Sequence, residues 1–142
     1  MEILIPDTYV TNISERLNLY KEINNLKSES DILSFSKNIK DRFGELPTEI
    51  YLLYDALRIK WLGKKLGFTR VILKDNKVRA YLPDESNNIF YKSSNFTKIL
   101  FFVKENFKTT KMIKKRNKLS ILIEDVQKIE NAVLIFKSLY DN

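Results

Sequence analysis

A chain of 142 residues with 44% hydrophobic side chains is long enough to bury a core of its own, and a formal charge of +7 makes it basic. It contains no cysteine and no histidine, which excludes disulfides, the usual zinc sites and any triad that uses imidazole as its base. No apolar run approaches the length of a membrane span and the N-terminus lacks the basic-then-apolar order of a signal peptide, so a cytoplasmic chain without membrane contact is expected.

Ile3 and Ile5 alternate with Glu2 and Leu4 and stop at Pro6, which predicts a short strand or extended lead-in. Asn12 followed three residues later by Glu15 is a capping-box-like helix start. Ile13, Leu17, Tyr20 and Asn24 share one side of that helix, and Leu19, Ile23 and Leu26 widen its apolar face. Ser28 with Asp31, or Ser30 alone, opens a second helix with Ile32, Phe35, Ile39 and Phe43 inward. Gly44 ends it in a left-handed conformation, and Pro47 begins a third helix where no amide donor is needed. That helix carries Ile50, Leu53, Tyr54, Leu57 and Trp61, and Gly67 closes it.

The period then changes. Val71, Ile72 and Leu73, the turn Lys74-Asp75-Asn76-Lys77, and Val78, Ala80 and Leu82 read as a hairpin. Residues 83–88 form a polar loop, with a short strand at Ile89-Phe90-Tyr91. Asn95 begins a fourth helix with Phe96, Ile99, Leu100, Val103 and Phe107 inward, and Phe101 and Phe102 also read as core. A second hairpin turns at Arg116-Asn117, and Asp125 caps a last helix with Val126, Ile129, Val133, Phe136 and Tyr140 on one stripe. The fold class is α+β: three N-terminal helices, then antiparallel β-hairpins with two further helices packed on the sheet. A single domain over 1–142 is expected, its helical half about 1–67 and its α/β half about 68–142.

Little here suits catalysis. The three glycines form no phosphate-binding loop, and Gly63-Lys64 falls at the end of a helical pattern instead of after a strand. The neighbouring carboxylates Asp84-Glu85 and Glu124-Asp125 read as turn and cap chemistry. No catalytic residue, metal ligand or cofactor is assigned. The charge is uneven: residues 1–67 hold 10 Lys/Arg and 10 Asp/Glu, so the excess lies wholly beyond them, and Lys104–Lys118 has seven bases against Glu105 alone. Lys111, Lys114, Lys115, Arg116 and Lys118 are candidate nucleic-acid contacts. The competing reading is the wet face of a half-buried sheet with protective edge lysines, and the stretch lacks aromatics interleaved for base stacking.

Three short pieces in register, Ile5-Pro6-x-x-Tyr9, Arg16-Leu17-x-x-Tyr20-Lys21 and Asp41-Arg42-Phe43-Gly44-x-Leu46-Pro47, resemble the C-terminal (TRCF) domain of bacterial transcription-repair coupling factors. The likeness is close from about Ile5 to Gly67, with Leu53-Tyr54-Asp55-Ala56-Leu57-Arg58-Ile59-Lys60 and Leu66-Gly67 continuing it; beyond, only the order of strands and helices matches. The resemblance implies a non-catalytic regulatory domain at the end of an ATP-dependent, superfamily-two DNA translocase. That translocase displaces stalled RNA polymerase and recruits nucleotide excision repair. The domain would pack on the N-terminal UvrB-like module of the same protein and mask its UvrA-binding surface. On this likeness Asn38, Asp41, Arg42 and Glu45 are the interdomain contact, with Asn38 standing where the family often has an acidic residue. The alternative function is a basic nucleic-acid-binding module built on Lys104–Lys118, and a weaker one is an adaptor using the exposed face of the last helix.

Overall fold

The computed structural model describes residues 3–142. Six helices and four strands follow in the order α1 (Ile13–Asn24), α2 (Glu29–Phe43), α3 (Thr48–Leu66), β1 (Arg70–Lys74), β2 (Lys77–Tyr81), α4 (Asn88–Tyr91), α5 (Ser94–Glu105), β3 (Thr110–Lys115), β4 (Lys118–Ile123) and α6 (Ile129–Asp141). The chain divides into two compact units, one up to Leu57 and one from Arg58 to Asn142, so the division falls inside α3.

In the first unit the helix starts follow local chemistry. The Asn12 side chain accepts from the Glu15 amide at 3.0 Å, and Ser28 does the same for Asp31 at 3.1 Å. Asp31 in turn accepts from the Lys27 amide, which closes the second cap on both sides. Ile32 and Ile39 are buried on α2, Ile50, Tyr54 and Leu57 on α3. Phe35 meets the Tyr54 ring edge-on at 6.5 Å, and the Ser36 and Tyr54 hydroxyls share a hydrogen bond of 2.7 Å. On α1 the expected face is corrected. Leu19 and Ile23 are buried, but Ile13 is 66% and Leu17 56% exposed. The helix is apolar on two sides, and tertiary packing selects the one carrying Leu19. The expected strand at Ile3 and Ile5 is also absent: residues 3–6 are irregular, while Glu2 lies outside the described residues. The Ile5 amide donates to the Tyr20 hydroxyl, so this segment is tied to α1 without a strand partner.

In the second unit the four strands form one antiparallel sheet in the order β1-β2-β4-β3. The two hairpins turn tightly, with Asp75 and Asn76 at φ 54° and 59° and Arg116 at φ 57°. Val78 and Ala80 pair with Ile123 and Ile121, all four are buried, and so mark the core face. Gly63 of α3 approaches Val71 on that face and Phe136 of α6, which places both helices against it. α6 buries Ile129, Ala132, Val133, Phe136 and Leu139. The C-terminal end of α3 closes with two bonds, Phe68 amide to Gly63 carbonyl (2.9 Å) and Gly67 amide to Lys64 carbonyl (3.1 Å). Gly67, expected to close the helix, does so with a positive φ of 100°.

Four expectations for this unit are corrected. Ile89-Phe90-Tyr91 lies in the helical turn α4, because the Asn87 side chain captures the Phe90 amide at 3.0 Å and Tyr91 donates back to the Pro83 carbonyl. Asn95 does not cap α5. Ser93 does, accepting from the Phe96 amide, while the Asn95 amide group donates to the Lys65 carbonyl and satisfies an orphan acceptor at the end of α3. Asp125 does not cap α6: it takes a left-handed φ of 60°, the Val126 amide bonds the Asn76 carbonyl at 2.8 Å, and the helix starts beyond Lys128. On α5 only Ile99 is fully buried; Leu100 and Phe101 are exposed, as is Phe107 beyond the helix at 72%. A segment apolar nearly all round gives periodicity nothing to choose between. Among the described residues no helix is long and apolar enough to cross a membrane.

Candidate docking surface at the helical corner

The corner between α2 and α3 is held by residues far apart in sequence. The Gly44 amide closes the helix on the Lys40 carbonyl at 2.9 Å, and the chain then leaves with φ 93° and ψ −165° at Gly44. The positive φ agrees with expectation, but the left-handed helical value is corrected: ψ is extended, in a region essentially reserved to glycine. A Cβ at Gly44 would meet nothing within 4 Å, so backbone conformation and not space demands the glycine.

The carbonyl of Gly44 accepts from the Tyr9 hydroxyl at 2.9 Å, and the Tyr9 ring lies 5.8 Å from that of Phe43. A turn in which the Pro6 carbonyl accepts from the Tyr9 and Val10 amides aims this side chain. Burial raises the Tyr9 pKa above the ordinary tyrosine value, with smaller pushes from Tyr54, Glu45 and Tyr51. The Arg16 guanidinium donates to the Val10 carbonyl at 2.7 Å, and Tyr20 receives the Ile5 amide. Thus the three sequence pieces 5–9, 16–21 and 41–47 are one interlocked construction. The Pro6-x-x-Tyr9 spacing is visible in the sequence, but its partner, a carbonyl 35 positions along the chain, is not.

These bonds leave the charged residues outside. Asn38, Asp41 and Arg42 are exposed and, at spacings of three and four, share one face of the last turns of α2. The Arg42 guanidinium carbon stands 4.7 Å from the centroid of the Phe43 ring. Glu45 lies past the cap, where Lys40 meets it at 3.0 Å in an exposed ion pair. The Glu45 hydrogen bond is the leading cause of a raised Lys40 pKa, though solvent screening keeps such a pair weak. The surface therefore offers an acceptor-only carboxylate, a forked donor and a carboxamide on one support, a set with the chemistry for charge-assisted hydrogen bonding.

The second candidate set is not brought together in the same way. Lys111 and Lys115 share a face of β3, and Lys118 opposite Lys115 joins them. Lys114 points to the other face and pairs with Glu85 at 2.7 Å, while Arg116 occupies the hairpin turn. Lys111 is 3.7 Å from Glu124. The Glu85 contact raises the Lys114 pKa. Of the carboxylate neighbours, Asp84 accepts from the Ser86 amide at 2.9 Å, which lowers its pKa, as befits a turn. Among the described residues no group of three or more acidic side chains is placed to hold a metal.

With its helices and one antiparallel sheet the chain is α+β in fold class, and the exposed chemistry of the corner is ionic. Residues 1–93 match the TRCF domain family. The chain belongs to that family. It is 36% identical over 129 residues to the transcription-repair-coupling factor of Rickettsia prowazekii, covering 90% of this chain and 11% of that protein. Against the factor of Escherichia coli it is 32% identical over 71 residues, 50% of this chain and 6% of the other. The chain thus spans about a tenth of the length of curated relatives it matches. A crystal structure of the C-terminal domain of transcription-repair coupling factor superposes with a TM-score of 0.70, covering 99% of this chain and 88% of that one at 21% identity. The α+β fold is therefore shared along 99% of the chain.

Proposed function

We propose that this chain is a non-catalytic regulatory domain whose α2–α3 corner docks on the N-terminal UvrB-like module of its own parent protein. In the docked state it covers the surface that binds UvrA. The parent is an ATP-dependent DNA translocase of the bacterial cytoplasm that displaces stalled RNA polymerase. Engagement of polymerase releases the corner and lets UvrA in. Family membership supports this reading, and one observation carries it: Tyr9, Phe43 and Gly44 do the structural work of the corner, while Asp41 and Arg42 remain exposed beside it. Had those two side chains served the interior, the corner would be a joint and nothing more.

Physically this is a masking equilibrium. Every 1.4 kcal/mol or so removed from the closed state raises the open-to-closed ratio about tenfold. Truncating a desolvated charge pair at an interface costs about 2–5 kcal/mol, so two such residues suffice to shift a population from mostly closed to mostly open. The test is a binding titration between this chain and the separately made N-terminal module. Asp41→Ala with Arg42→Ala should weaken the complex at least tenfold with the helical content unchanged. Equal affinity for variant and wild type would reject the corner as the contact.

A further inference from the structure

Strand register assembles a second surface that no single stretch of sequence displays. Opposite residues of an antiparallel pair share a face, so Lys74 and Lys77 lie side by side, as do Lys115 and Lys118. Both pairs belong to the face turned away from α3 and α6, the face of Arg79 and Leu122. Arg70 and Lys111 lie on it too. No strand position on this face is acidic; Glu124, one residue past β4, answers Lys111 alone. All of these cations except half-buried Arg79 are exposed.

Two directly opposed like-charge pairs are unfavourable to the sheet, and a face selected for stability would alternate the signs. The pairs stand at opposite ends of the sheet, one at each hairpin turn. Between them run six residues of strand, about 20 Å at 3.3 Å per residue. A nucleic-acid duplex carries roughly a dozen phosphates over such a length. Of the other members of the face, Ser120 and Leu122 are buried and Ile72, Tyr81 and Ile113 are partly buried, so no ring on it is fully exposed for base stacking. Single strands are poorly served by such a face, and base edges are not read by it.

We propose that this basic sheet face binds the phosphate backbone of duplex DNA without sequence preference. Its residues differ from those that the sequence alone nominates. Lys114 belongs to the other face with Glu85, and Arg116 to the turn, whereas Arg70, Lys74, Lys77 and Arg79 enter from the first hairpin. The surface is independent of the α2–α3 corner, so either assignment stands if the other fails.

The experiment uses the whole chain and a fluorescent DNA duplex of about 20 base pairs, titrated across salt. With six of the cations free of an acidic partner, log affinity should fall with log salt at a slope of about −4 to −6. Lys115→Gln with Lys118→Gln should weaken binding several-fold and flatten the slope by about 2, and Lys74→Gln with Lys77→Gln should act alike. Lys114→Gln should change neither. A thermal melt confirms that each variant is folded; these side chains are exposed and neutralising them removes repulsion. No binding at low salt overturns the proposal, as does a Lys114→Gln effect equal to that of a face pair. A poly-glutamate peptide that competes as well as the duplex at equal charge overturns it in favour of an acidic protein partner.

Discussion

Replacing Gly44 by alanine separates backbone demand from space. At φ 93° and ψ −165° an L-residue is strained, and conformations so sparsely populated cost about 1–3 kcal/mol. The added methyl meets nothing within 4 Å, so no steric cost is added. At Gly67 the same substitution is strained at φ 100° and in addition drives its Cβ into the Phe90 ring, which lies on the buried side of α4. Gly67→Ala should therefore lose clearly more than Gly44→Ala. Gly44→Asn is informative as well: asparagine tolerates the left-handed helical region, but at ψ −165° that tolerance is of no use. It should cost as much as alanine. Urea unfolding followed by far-UV circular dichroism reads these differences as shifts of the midpoint at constant m. If Gly44→Ala is neutral within about 0.5 kcal/mol, the strain argument is wrong and the corner is more pliable than its dihedrals imply.

Further expectations concern the same corner and the helix that braces it. Tyr9→Phe keeps the ring against Phe43 but strips the Gly44 carbonyl of its donor, so it should cost about 0.5–1.5 kcal/mol in the same unfolding assay. The Tyr9 pKa lies above the unfolded value, so its contribution is complete below about pH 10 and is lost as pH rises through the raised value. The difference in ultraviolet absorbance titration between wild type and Tyr9→Phe should show one phenol ionising late; ionisation at or below about pH 10 contradicts its burial. Leu19→Ala should lose about 2–5 kcal/mol, whereas Leu17→Ala should fall within about 0.5 kcal/mol, and equal losses would show that the wrong face of α1 was taken as buried. Asn38→Asp should tighten docking and make it more sensitive to salt if the corner meets a basic surface, as titration at two ionic strengths would report.

Chain-local information determined the starts of the first three helices, the ends of the second and third, and both hairpins. Asn12 and Ser28 cap the helices they precede, Gly67 ends α3, and Asp75-Asn76 turn one hairpin, because each bond joins atoms only a few residues apart. Local reading failed where two local options competed. Ser93 and Asn95 both suit a cap, and only the nearness of the Lys65 carbonyl assigned Asn95 elsewhere. Asn87 could equally have preceded a strand, but its side chain found the Phe90 amide. Periodicity likewise had no means of ranking Leu17 against Leu19, or Phe101 against Ile99, since a helix apolar on two sides shows the same pattern whichever side is covered. For the candidate site, the exposed polar and charged residues at 38, 41, 42 and 45 could be nominated from a family likeness, while the Tyr9 bond that stiffens their support could not. The strand order β1-β2-β4-β3 is the clearest case of a property absent from local pattern: it places Lys74 and Lys115 on one surface although 40 residues of chain lie between them. Hydrogen bonds and dihedral preferences act over a few residues and can be read in line. Which face meets the core, and which charges then share the remaining one, is set by long-range burial, and that exists only once the chain has closed on itself.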